Sequence, residues 1–496
     1  MKGFGNNKQS KKKKTYHLRN KNENYQILNQ AIKSQSEGNI MKAINCYEFL
    51  IKKGLKESTV YSNYGIILIN LGRLEEALLS ISKAIEINPK DAILHSNLGG
   101  ILKDLGRLEE AELSIRKAIE LNPKDAILHS NLGGILKDLG RLEEAELSIR
   151  KAIELNPNFE NTYLNLGVIL KDLGRLEEAE KLYKDIIKIK PTFAEAHNNL
   201  GIILKDLGRF KEAEKLYRNA IKIKSNFAEA FYNLGNLMTS FGNFKEAEKL
   251  YQNTIELDSN YVMAYFSLST LPSSNKSSTW QTQLLNKNFV NHKSSKEKVY
   301  IYFARANLFH KKRIYEVSSK YLQLANNLKL NLYPSNCKSL LNQSQILLKE
   351  SKKVLNKKNF TDFPESIFIV GMPRSGTTLI ESIIGMNINV KELGEINILE
   401  ESYLKQKKHK QKYTIAELYL KKANINSRKK TTINKWLYNY QYAGIISQHI
   451  PNAKLIHCFR NPLDNILSIY RANFAQGNHY SSSLIDCAKV YLDQEE

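Results

Sequence analysis

Cysteine is scarce and scattered. Cys46, Cys337, Cys458 and Cys487 are the only four in 496 residues, with no C-x-x-C and no clustered histidine. Such spacing argues against a disulfide framework and against a structural zinc, and fits a reducing compartment. Long apolar runs are also missing: none approaches the length of a membrane span, and the start is Lys-rich from Lys8 to Lys14 without the apolar centre of a signal peptide. A soluble, cytoplasmic protein without a membrane partner is therefore expected. Acidic residues are in deficit, 50 Asp and Glu against 74 Lys and Arg, for a formal charge of +24. The excess is spread as Lys among Asn and Ile rather than gathered into a patch, so nucleic acid is not expected as a partner. Length is not lacking. At 496 residues the chain has room for two or three domains, each with its own core.

The first organised signal is repetition. Leu-Gly-Arg recurs with its glycine at Gly72, Gly106, Gly140, Gly174 and Gly208, then as Phe-Gly-Asn at Gly242, each 34 residues after the last. Small residues keep the same period: Gly65, Gly99, Gly133, Gly167, Gly201 and Gly235 where a first helix must approach a second, and Ala77, Ala111, Ala145, Ala179, Ala213 and Ala247 on that second helix. Pro89, Pro123, Pro157 and Pro191 close one unit and open the next, since proline ends a helix yet is tolerated at the start of another. Asp91 to Asn122 is repeated without change as Asp125 to Asn156, which marks a duplication. The stretch resembles the tetratricopeptide repeat, with frames beginning at Ser58, Ala92, Ala126, Glu160, Ala194 and Ala228. One such unit cannot bury its own apolar face; stacking of neighbours supplies the core.

Asparagine holds a further fixed place in each unit, at Asn63, Asn97, Asn131, Asn165, Asn199 and Asn233. In this repeat family the position faces a concave groove. A ladder of amides, each with a donor and an acceptor, suits the backbone of an extended polypeptide whatever its sequence; the alternative is that these amides bond within the superhelix. Asn97, Asn131, Asn165, Asn199 and Asn233 are thus the groove candidates, with Lys103, Lys137, Lys171 and Lys205 as a basic row nearby.

Past Asp258 the period fades. Ser273 to Thr279 is a polar loop, Val299 to Leu332 reads as one divergent helical pair, and Lys349 to Lys358 as a charged helix or linker. From Ile367 the pattern changes to strand, turn and helix, which implies a parallel α/β sheet. Ile367 to Val370 is a β-branched apolar run of the buried-strand type, and Thr377 restarts at helical spacing. Between them, Gly371-Met-Pro-Arg-Ser-Gly376 reads as a phosphate-binding loop that aims backbone N–H groups and a helix N-terminus at one point. The lysine of a nucleoside-triphosphatase loop is replaced by Thr377, and the fixed cation is Arg374 within the loop, which argues against an ATPase. A second strand and helix follow as Lys454 to Arg460, Asn-Pro-Leu-Asp, and a helix through Phe474. Arg460 at a strand's carboxyl end and Ser468 on the next helix suit a second phosphate; alone, Arg460 would sooner pair with Asp464.

P-R-S-G-T-T followed by R-N-P-x-D-x-x-x-S resembles the sulfotransferase family, over about a fifth of the chain. Within it, the residues look most similar to protein-tyrosine sulfotransferases and to bacterial proteins that join tetratricopeptide repeats to such a domain. The resemblance implies 3′-phosphoadenosine 5′-phosphosulfate as donor, no metal, a cradle for the 5′-phosphosulfate at Arg374, Ser375, Gly376, Thr377 and Thr378, and a 3′-phosphate grip at Arg460 and Ser468. It further implies that Glu395, in Leu-Gly-Glu-Ile, is the catalytic carboxylate and Lys435 the catalytic lysine, beside Arg374. Asn461 stands where Asp is commoner in the family. Family members continue beyond the equivalent of Glu496, so the domain is expected to be incomplete at its C-terminus.

The expected architecture is an α-solenoid of tetratricopeptide repeats followed by an α/β, P-loop-like sulfotransferase domain with a parallel sheet. Its expected segments are a basic disordered N-terminus (1–23), the solenoid (24–261), a divergent helical repeat and linker (262–362), and the sulfotransferase domain (363–496). Two functions remain open at this stage. One is an enzyme moving a sulfuryl group to an acceptor hydroxyl, on a peptide tyrosine held by the repeats or on a glycan or small molecule. The other is a protein-binding scaffold with an inactive remnant.

Overall fold

The computed structural model describes residues 23–272, 279–352, 363–408, 413–423, 431–474 and 477–496. The basic N-terminal segment up to residue 22, the polar loop after residue 272 and the Lys run beyond residue 352 lie outside the described residues. Packing divides the chain into two units, residues 1–237 and 238–496.

The first unit is built of paired helices that begin where the frames place them: Ser58–Asn70 with Leu74–Ile87, Ala92–Asp104 with Leu108–Leu121, Ala126–Asp138 with Leu142–Leu155, Glu160–Asp172 with Leu176–Ile189, and Ala194–Asp206 with Phe210–Ile223. The Leu-Gly-Arg turn shows why the triplet recurs. Gly106 sits at φ +77° in the left-handed region, its N–H donates to the Lys103 carbonyl, and the next N–H, of Arg107, reaches back to Leu102, closing the helix end. The arginine then ties repeats together. Nε and Nη2 of Arg141 grip both oxygens of Glu144, while Nη1 donates to Glu112 of the preceding repeat at 2.7 Å. Gly133 is required by proximity, since an added Cβ would lie 2.5 Å from Ile149 Cγ1.

In the second unit the helices α1 (Val262–Thr270), α2 (Thr279–Leu285), α3 (Ser295–Lys311), α4 (Tyr315–Leu332) and α5 (Cys337–Ser351) precede an α/β sheet. There follow β1 (Ser366–Val370), α6 (Thr377–Gly385), β2 (Val390–Glu392), α7 (Ile398–Lys408), α8 (Ile415–Lys422), β3 (Thr431–Asn434), α9 (Ala443–His449), β4 (Ala453–His457), α10 (Pro462–Tyr470) and α11 (Leu484–Glu495). The order across the sheet is β2-β3-β1-β4, every pair parallel, with Ile367 opposite Ile433 and Lys454. All five residues of β1 are buried, as expected of a strand covered on both faces. Phe368 enters a cluster with Leu347, Leu399, Tyr419 and Ile446, whereas Ile367 and Ile369 pack with Ile433, Ile380 and Ile456 on the other face.

The helices between the repeats and the sheet share the core of the sheet-bearing part. Tyr470 of α10 packs among Val299, Phe303 and Leu322 of α3 and α4. Asn326 of α4 donates to the Tyr470 carbonyl at 3.0 Å, and Lys329 donates to Asn473 Oδ1 and the Phe474 carbonyl at 3.1 and 2.6 Å. Cys337 and Leu340 of α5 join Met372, Ile469, Tyr480 and Val490. Among the described residues no helix is long and apolar enough to cross a membrane.

Candidate active site

The loop after β1 is held before any ligand arrives. Cys458 N–H donates to the Val370 carbonyl, extending the β1–β4 pairing so that the segments leaving both strands emerge side by side. Asn465, wholly buried on α10, donates to the Pro373 carbonyl at 3.0 Å. Arg374 sits at φ +70°, a left-handed conformation that strains a residue with a Cβ by about 1 to 3 kcal/mol and that clusters at functional loops. Gly376 caps α6 at φ +100°, and a Cβ added there would meet nothing within 4 Å, so one side of the turn is open. The first-turn N–H groups at Thr377 and Thr378 have no acceptor within the helix, by helix geometry. Ser375 Oγ is buried and has no partner among the described residues. An open turn with free amides and an orphaned hydroxyl fits a phosphate or sulfate oxygen.

Arg374, Arg460 and Ser468 are brought together. Arg374 Nε donates to Ser468 Oγ at 3.3 Å, and Arg460 Nη1 reaches the Arg374 carbonyl at 3.5 Å. Tyr491 of α11 donates to the Arg460 carbonyl at 2.9 Å and fixes that backbone. Asp464 accepts no ion pair from Arg460: among the described residues neither Arg374 nor Arg460 has a carboxylate within ion-pair distance. The two arginines and Ser468 line one cavity of about 640 Å³ with Asp464 of α10 and Arg471 just past its end. Its other wall is the preceding helices, with Phe266 of α1 and Asn307, His310 and Lys311 of α3. Burial pushes the Lys311 ammonium down to about 8 and lowers the Arg471 guanidinium. The His310 imidazole is likewise lowered, by burial first and by Arg471 second. The surroundings disfavour each added positive charge, and an anion in the cavity relieves that penalty.

Beside the loop lies an ion cluster centred on Lys435, which is 5% exposed. Its Nζ donates to Glu395 Oε1 at 2.7 Å and to Thr378 Oγ1 at 3.0 Å, and Glu381 Oε2 lies at 3.4 Å. The sheet makes this meeting possible: β2 and β3 pair from Val390 and Thr431 onward, and the ladder ends with Lys435 N–H on the Gly394 carbonyl, next to Glu395. Asn434, fully buried, braces both arms by donating to the Ile396 carbonyl and accepting from Trp436 N–H. The Glu395 side chain is half exposed at 51%, whereas Glu381 is buried.

Nothing in the sequence marked Asn434, Asn465, Glu381 or the α3 wall, since each gains its place only through packing; an asparagine at a strand's carboxyl end was the one available hint. In the repeats, Asn199 donates to Tyr183 OH and Asn233 to Asn198 Oδ1, so these two candidates bond internally. Asn131 and Asn165 are exposed and Asn97 half-buried. The basic row is matched by acid: Lys103 and Lys137 lie near Asp138, and Lys171 and Lys205 near Asp206. Among the described residues no group of His, Cys, Asp and Glu is placed to hold a metal ion.

Comparison with known proteins bears on both units. The family profile described as "Sulfotransferase domain" matches residues 364–492, and profiles described as tetratricopeptide repeat match 58–91, 92–125, 126–159, 194–227 and 227–257. The chain carries tetratricopeptide repeats and a C-terminal sulfotransferase domain. A protein of Aquifex aeolicus (strain VF5), described as "Uncharacterized protein", is 34% identical over 130 residues. That match takes in 22% of this chain and 17% of the relative, so the chain covers under two thirds of that protein's length. Similar solved structures include a tetratricopeptide repeat protein from Parabacteroides merdae, with 16% identity, a TM-score of 0.46, and coverage of 49% of this chain and 96% of that one. Another is YrrB, described as a TPR protein with an unusual peptide-binding site, with 24% identity, a TM-score of 0.28, and coverage of 37% and 95%. The sulfotransferase domain supports sulfuryl transfer in general, and the repeats support protein binding.

Proposed function

We propose that the C-terminal domain transfers a sulfuryl group from 3′-phosphoadenosine 5′-phosphosulfate to an acceptor hydroxyl, with a tyrosine in a polypeptide bound by the repeats as the favoured acceptor. The observation that carries this is the Lys435 cluster, in which one buried ammonium bonds both the Thr378 hydroxyl beside the phosphate-binding turn and the exposed Glu395 carboxylate. In the reaction the acceptor oxygen attacks sulfur, its proton passes to Glu395, and the bond from sulfur to the bridging phosphate oxygen breaks. The electron pair stays on that oxygen. Arg374 and Lys435, with the N–H groups of the α6 first turn, face the charge that grows there, and positioned charges of this kind act most strongly where water is excluded. Ser375 Oγ, without a partner among the described residues, is available to the same group. Arg460 and Ser468, in a cation-rich cavity of nucleotide size, would hold the 3′-phosphate.

Calorimetry with adenosine 3′,5′-bisphosphate, the donor's product, tests the reading. Binding is expected for the intact chain. Arg460→Ala or Ser468→Ala is expected to weaken it tenfold or more while sparing adenosine 5′-phosphate, which lacks the group those residues meet. Absence of binding by the intact chain would leave a repeat scaffold with an inactive domain; equal loss for both nucleotides would remove Arg460 and Ser468 from the 3′-phosphate.

A further inference from the structure

Lys435 has three N–H donors, and three oxygens surround it. Thr378 and Glu395 belong to the site described above; the third, from Glu381, has no part in that chemistry. Glu381 lies on α6 three residues after Thr378, so the two share a helix face. It is 7% exposed, which keeps it from any acceptor or nucleotide. Its second oxygen, Oε1, is buried without a partner among the described residues. A carboxylate buried in this way is costly unless a nearby positive charge compensates it, and Lys435 is the cation beside it.

We propose that Glu381 is a positioning residue that acts through Lys435, as its permanent counter-ion. The inference rests on the proposed sulfuryl transfer. During that transfer Glu395 takes up a proton and loses its charge, so the bond between Glu395 and Lys435 weakens at the moment when Lys435 must stay charged and aimed at the leaving oxygen. Glu381 cannot take part in the proton transfer, because it is enclosed. Its charge persists, and it holds the ammonium beside Thr378 through the step. Two carboxylates of different exposure around one lysine thus take different roles, the open one as base and the closed one as anchor.

A double-mutant cycle read by calorimetry with adenosine 3′,5′-bisphosphate tests this without reference to the acceptor. Lys435→Ala alone is expected to weaken binding at least tenfold. Glu381→Gln keeps the shape but not the charge; with its anchor gone, Lys435 collapses onto Glu395, and affinity is expected to fall about fivefold. In the Lys435→Ala background the same change is expected not to weaken binding at all, since it then only removes a negative charge near an anion site. Glu381→Asp, which keeps the charge, is expected to retain affinity within about twofold and guards against a folding defect as the cause. Equal effects of Glu381→Gln in both backgrounds, or none in the native background, would overturn the role of Glu381. No effect of Lys435→Ala would instead remove Lys435 from the nucleotide, and with it the reading on which the inference rests.

Discussion

At the scale of single residues, the candidate site separates groups open to solvent from enclosed groups that hold them in place. Glu395 is half exposed and bonded to a buried lysine, whereas Glu381 is enclosed with that lysine as its ion-pair partner, and the enclosed Asn434 and Asn465 donate to the backbone carbonyls of the loops. Glu395→Gln keeps size and hydrogen bonding but cannot accept a proton. Turnover with radiolabelled donor on a library of tyrosine-containing peptides is expected to fall by roughly two orders of magnitude or more, with affinity for adenosine 3′,5′-bisphosphate nearly unchanged. Retention of most of the turnover would move the base to another group. The sequence offered Glu395 and Lys435 only through family resemblance, because 40 residues separate them and no local pattern joins them. Arg374 was legible from the loop itself. Its left-handed backbone was not, since no rule of composition places a non-glycine residue there.

At the scale of elements, α4 is a structural member of the sheet-bearing unit through Lys329, a buried ammonium whose two acceptors lie just after α10. Burial pushes its pKa down to about 8, below the ordinary lysine value of about 10.4 that it has when unfolded. The charged form is therefore the one the fold disfavours. Stability carried by this group is lowest below pH 8 and rises as pH climbs from about 8 to about 10.4, where the folded side chain gives up its proton before the unfolded one does. In Lys329→Met that rise is removed. Thermal melts between pH 7 and 10 are expected to show the difference in Tm, native minus Lys329→Met, moving by a few degrees in favour of the native chain as pH increases. A difference flat in pH would mean that Lys329 keeps an ordinary pKa. The helical pair α3–α4 was visible as a faint echo of the repeat period, but its packing against α10 was not, because that depends on Phe303, Leu322 and Tyr470 meeting across more than a hundred residues of chain.

At the scale of the whole molecule, two units with different physics are joined in one chain. The repeat unit is stabilised by nearest neighbours, through the small-residue contacts and the arginine forks that reach back one repeat. Asn131 and Asn165 stand exposed along it, while Asn199 and Asn233 are engaged internally. If a polypeptide is the acceptor, changing Asn131, Asn165 and Asn199 together to Ala is expected to raise KM for it by about tenfold and to leave adenosine 3′,5′-bisphosphate binding untouched. An unchanged KM would point to a small acceptor, or to a polypeptide held elsewhere.

The sequence by itself determined the repeats down to the first residue of each helix pair, because a 34-residue period with fixed glycine, alanine and proline positions records nearest-neighbour contacts that recur along the chain. It also determined the strand, turn and helix around Gly371 to Gly376, whose strand, glycines and helix start are all local. Tertiary structure alone decided that α1 and α3 wall the cavity lined by Arg374 and Arg460, that among the described residues Asp464 leaves Arg460 without an ion pair, and that Glu381 stands behind Lys435. The reason is physical: these relations arise from parallel strand pairing and helix packing between segments far apart in sequence. Such contacts leave no period and no spacing in the chain that makes them.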